Sequence, residues 1–136
     1  MPLVRLLLLA SALLIACPLA CRPSGPISVA YSKLDWQNDL FLLEGQPFSG
    51  LALDQHPNGQ PKASYPLRNG RLHGLVQEWW ENGQPCTETH FENGKRHGLN
   101  TYWDRSGRRI KEQVYEHDHS LRETHFPIPP PQGGKS

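Results

Sequence analysis

From residue 50 onward the chain alternates apolar and polar side chains in short runs, and each run closes on a turn signal. Leu75, Gln77 and Trp79 share one parity, and Val76, Glu78 and Trp80 the other. In the next run Thr87, Thr89 and Phe91 alternate with Cys86, Glu88 and His90. A period of two is that of a strand, whose successive side chains point to opposite faces. No sustained helical spacing interrupts residues 50 to 121. Turns fall at Pro57-Asn58-Gly59-Gln60, Glu81-Asn82-Gly83-Gln84 and Arg105-Ser106-Gly107-Arg108, with Asn69-Gly70 and Asn93-Gly94 between them. Asn and Gly tolerate the positive φ that tight hairpin turns require, so Gly59, Gly70, Gly83, Gly94 and Gly107 are expected as structural turn residues.

The turns keep one step. Gly50, Gly74 and Gly98 are 24 residues apart, as are Gly59, Gly83 and Gly107, while Gly70 and Gly94 lead to Asp118. Leu51, Leu75 and Leu99 hold the same step, as do Trp79 and Trp103, and His73 and His97. The pattern predicts an all-β fold: a tandem β-hairpin repeat array of 24-residue period, forming an open single-layer antiparallel sheet. A lone hairpin is marginal in water, so stacked units must bury a shared surface.

Parity also sorts the side chains into faces. Leu51, Leu75, Leu99, Trp79 and Trp103 form an apolar set, predicted to be the packed side. Trp80, Tyr102, Glu78 and His56 fall on the other, giving a mixed aromatic and polar strip expected to bind a partner.

The run from Gly74-Leu75 through Trp79-Trp80-Glu81-Asn82-Gly83 to Phe91-Glu92-Asn93-Gly94-Lys95-Arg96-His97-Gly98 resembles the bacterial variant of the MORN repeat. Leu43-Glu44-Gly45-Gln46-Pro47-Phe48-Ser49-Gly50 looks like the lead-in to such an array. The resemblance covers about residues 40 to 121, and in the third unit Asp118 replaces the expected Gly. It implies a scaffold or binding surface. Many bacterial proteins of this arrangement are labelled YwqK-like antitoxins of toxin–antitoxin systems, and the resemblance implies that label as an alternative.

At the N-terminus Arg5 precedes an apolar run, Leu6 to Ile15, too short to span a bilayer and suited to a secretory signal. It ends on Leu14-Ile15-Ala16-Cys17, which resembles a bacterial lipobox. Cys17 is the expected lipidation site and Cys21, after Pro18-Leu19-Ala20, the alternative. Residues 1–16 then form the signal peptide, 17–27 a Pro-rich flexible tether, and 28–49 a capping hairpin. In that hairpin Tyr31, Leu34 and Trp36 share one strand and Leu40 to Leu43 the next. Residues 50–121 are three repeats, and 122–136 a strand end with a disordered Pro-rich tail.

Composition narrows the function. Removing residues 1–16 leaves 13 basic and 13 acidic side chains, so no basic face exists to neutralise phosphates and nucleic acid is not an expected partner. All four Trp, four Tyr and four Phe lie beyond the signal, and a thin β array must leave some rings partly exposed. No nucleophile motif, phosphate loop or dinucleotide fingerprint appears, and Glu78, Glu81, Glu88 and Glu92 occupy solvent-facing strand and turn positions. No catalysis, cofactor or small-molecule substrate is expected. Among the seven histidines, spacing offers His73 with His97, and His117 and His119 with His125, and neither set matches a strong zinc pattern, so no metal is expected. Cys86 is left either to pair with Cys21 or to remain a free thiol. The expected protein is a non-catalytic, membrane-anchored repeat scaffold of the bacterial envelope, held by an N-terminal lipid and binding another protein. The alternatives are an antitoxin-type inhibitor and, third, a cell-envelope hydrolase.

Overall fold

A computed structural model describes residues 25–128 of the 136-residue chain. The residues expected to form the signal, both candidate lipidation cysteines and most of the Pro-rich tail lie outside that range.

The described chain is all-β with one 3₁₀ turn. Its first segment holds β1 (Ser28–Ala30), the 3₁₀ turn Tyr31–Lys33, β2 (Asp35–Gln37), β3 (Leu40–Leu43) and β4 (Gln46–Pro47). The hairpins follow as β5 (Gly50–Gln55) with β6 (Pro61–Arg68), β8 (Gly74–Trp79) with β9 (Pro85–Glu92), and β10 (Lys95–Trp103) with β11 (Arg109–Glu116). The short β7 (Arg71–Leu72) pairs back onto β6, and β12 (His119–His125) closes the order. The main sheet runs β1-β5-β6-β8-β9-β10-β11-β12 and stays open.

Two features depart from a uniform antiparallel single layer. β1 lies parallel to β5, Ser28 opposite Leu51, and β2-β3-β4 make a separate three-stranded sheet. The cause is local: Tyr31 sits in the 3₁₀ turn and not in the strand expected of it, so β1 docks on β5 while the chain turns away to build β2. The β1 contact, reinforced by Leu51 N–H donating to the Ile27 carbonyl at 2.8 Å, covers a sheet edge that would otherwise offer unpaired backbone.

Turn chemistry places the strands. Asn69-Gly70 (φ 50°, 75°) and Asn93-Gly94 (50°, 83°) take positive φ at both residues, as the tightest hairpin turns demand. His117-Asp118 takes the same shape (48°, 72°) without glycine. Turns inside the hairpins differ. There Gly59, Gly83 and Gly107 alone are left-handed (82°, 80°, 79°), and one residue of register slips at Asp54/Gln55, Glu78/Trp79 and Tyr102/Trp103. That combination is a type I turn closed by a glycine bulge.

Burial reverses the expected packing. Ala52 (0% exposed), Val76 (5%) and Asn100 (0%) are deeply buried on the face of Glu78 and Tyr102, whereas Leu53 (42%) and Leu99 (41%) of the opposite face are open. The physical reason is the opening segment. Phe48 packs with Ala52 and Leu67, and Tyr31, Leu34, Phe41 and Leu43 gather on that cluster, so residues 28–49 cover one end of this face. Farther along, Asn100 and Gln113 fill the same face as buried polar side chains.

Candidate interaction surface

The expected strip Trp80, Tyr102, Glu78 and His56 divides into two parts. Glu78 and Tyr102 stand in one cross-strand row, because Glu78 pairs with Thr87 and Thr87 with Tyr102. Asp54 and Ala63 extend the row on one side and Lys111 on the other. Polar contacts run along the row. Thr87 Oγ1 donates to Glu78 Oε2 at 2.5 Å, Lys62 Nζ meets Asp54 at 2.7 Å, and Lys111 Nζ lies 4.2 Å from the Tyr102 ring centre. Burial, followed by the Glu78 charge, pushes the nearby Tyr65 hydroxyl up to about 12.

His56 and Trp80 sit in the hairpin turns beyond the strand ends, and both are committed to the next turn. His56 Nε2–H donates to the Trp79 carbonyl at 2.8 Å, and Trp80 Nε1–H to the Trp103 carbonyl at 3.3 Å. Asn58 and Asn82 do the same with the carbonyls of Glu81 and Arg105, at 3.1 and 2.7 Å. Arg105 also lies over the Trp80 ring, 5.0 Å from its centre. His56 Nε2 and Trp80 Nε1 thus join consecutive turns and are committed to the backbone.

The uncovered apolar surface lies on the opposite face. Leu53 and Leu99 are exposed there, and Leu51, Leu75, Trp79 and Trp103 are half-buried. Sequence reasoning assigned this set to the interior because it is the more uniformly apolar. The information that would have corrected it is the aromatic content of residues 31–48, which needs a sheet face to cover. β12 is exposed along its whole length and forms the far edge.

Cys86 is a half-buried thiol, pushed up by burial and then by the charge of Glu78, so it is a poor nucleophile.

The histidines pair differently from either expected set. His73 accepts the Asn93 N–H through Nδ1 at 3.3 Å and serves the turn. His97 instead meets His117, ring centres 4.7 Å apart, and both face Glu92. The signal was spacing: Arg68 reaches Asn93 across neighbouring linking turns, 25 residues on, and Glu92 and His117 stand equally far apart.

Comparison with family models, with curated proteins and with solved structures finds no match for this chain. Among the described residues no helix is long and apolar enough to cross a membrane.

Proposed function

We propose that this is a non-catalytic scaffold, an array of three 24-residue MORN-like hairpin units held at a bacterial membrane by a lipid on Cys17, which binds another protein through its uncovered sheet face. The exposure of Leu53 and Leu99 beside half-buried Leu51, Leu75, Trp79 and Trp103 carries this reading. Apolar side chains left exposed on one uncovered sheet face are a common mark of an interaction surface. The partner surface is therefore the face of Leu99, in place of the Trp80 strip.

Support for the tandem unit comes from pairs that recur at one step. Asp54–Ala63, Glu78–Thr87 and Tyr102–Lys111 are successive first-strand to second-strand partners. Gly70, Gly94 and Asp118 each donate a backbone N–H to the carbonyl of Phe48, Leu72 and Arg96 respectively, at 2.8 to 2.9 Å. An antitoxin-type inhibitor would use the same face against a narrower partner.

The test is capture from bacterial membranes with the full chain and a Leu53→Glu/Leu99→Glu variant that keeps its melting temperature. The wild type should retain a protein that the variant loses; identical retained sets would reject the surface. Cys17→Ser should move the protein out of the membrane fraction, and an unmodified mature N-terminus by mass spectrometry would reject the anchor.

A further inference from the structure

We propose that Glu92, His97 and His117 form a binding site for a divalent transition-metal ion of the zinc class. Three strand ends meet there. Glu92 ends β9, His97 lies in β10 just past the Asn93-Gly94 turn, and His117 opens the following linking turn. One ligand atom from each residue lies within 4.8 Å of the other two.

The spacing approaches that of ligands around an ion. Glu92 Oε2 is 3.5 Å from His117 Nε2 and 3.9 Å from His97 Nε2. Side chains that far apart make no normal hydrogen bond. Zinc holds nitrogen and oxygen ligands at about 2.0–2.2 Å, which sets neighbouring atoms of a tetrahedron about 3.4 Å apart. Rotation of the half-exposed side chains has to close the remaining separations, none above 4.8 Å, to reach it.

Orientation agrees. His97 Nδ1 is shut away from solvent without a partner, so Nε2 is the nitrogen it offers outward. Two neutral imidazoles and a carboxylate suit zinc, copper or nickel, while magnesium and calcium prefer oxygen alone. Three protein ligands leave a fourth position for water or for a side chain of another molecule. The half-exposure of all three side chains keeps that position reachable. A bound ion would tie the His117-Asp118 turn to the end of β9, a link the backbone ladder does not itself make.

Zinc titration calorimetry of the untagged full chain tests this, with Glu92→Gln and His117→Asn as variants and His119→Asn as control. Asn tolerates the left-handed backbone of His117, so that variant keeps its turn. One zinc per chain is expected, with binding weakened at least about tenfold by either ligand variant and unchanged in the control. A matching rise in melting temperature with zinc should disappear in the same two variants. No binding by the wild type up to about 1 mM zinc, or equal binding by all four proteins, would overturn the site.

Discussion

The indole N–H of Trp80 donates to the backbone carbonyl of Trp103 at 3.3 Å, so the side chain of one hairpin turn is anchored on the next. Trp80 is therefore part of the stacking of the turns. Trp80→Phe keeps most of the ring and loses the bond, and should cost about 1 kcal/mol. Trp80→Ala loses packing as well and should cost about 2–3 kcal/mol, below the full-core range because the ring is only half-buried. Chemical denaturation of the two variants checks this. A Trp80→Ala protein as stable as wild type would contradict it.

The reversed faces give a direct contrast between two aliphatic side chains. Val76→Ala removes methyl groups from a closely packed site and should lower stability by about 1–2 kcal/mol. Leu99→Ala, on the open face, should stay within about 0.5 kcal/mol of wild type. Thermal melts that rank the two the other way would restore the packing expected from the sequence.

Glycines of positive φ should differ by their surroundings. Gly83 has nothing within 4 Å of an added β-carbon, so Gly83→Ala carries only the left-handed backbone penalty, about 1 kcal/mol. At Gly70 the new carbon would stand 3.0 Å from the Phe41 carbonyl and 3.1 Å from Leu40 Cβ. At Gly50 it would overlap the Ile27 carbonyl and lie 2.7 Å from the Phe48 ring. Melting temperatures should fall in the order Gly83→Ala, Gly70→Ala, Gly50→Ala, the last being the lowest.

Acid should weaken the fold through its paired carboxylates. The Arg96 guanidinium, and then the Arg96 backbone N–H, hold the Asp118 carboxyl below its ordinary 3.8. Asp54 is lowered by Lys62, Glu123 by His125, and Asp104 falls to about 2 through the Ser106 hydroxyl. A carboxyl depressed in the folded state stabilises it above the unfolded value and loses that contribution as pH falls through the folded value. Stability from these groups should therefore be level at neutral pH and decline below about pH 4. Asp118→Asn keeps the turn and should cost under about 1 kcal/mol at pH 7, since the pair is exposed. The gap from wild type should close in acid; a gap that persists at the lowest pH would rule out the ion pair as its cause.

The alternation of side chains and the Asn-Gly turns were enough to determine that the chain forms hairpins, because both are local. A period of two is a property of the strand itself, and positive φ at Asn69-Gly70 or Asn93-Gly94 is set by those residues alone. Which face is covered was decided only in three dimensions. Parity says that Val76 and Leu75 point apart, but not which one meets another layer. That depends on where Phe41, Leu43 and Phe48 dock, and they dock beside Ala52 and Leu67. Trp80 and His56 looked free for the same reason, since the carbonyls they bind belong to the following turn. Glu92, His97 and His117 are scattered along the chain, and only the stacking of one linking turn on the next brings their ligand atoms within 4.8 Å.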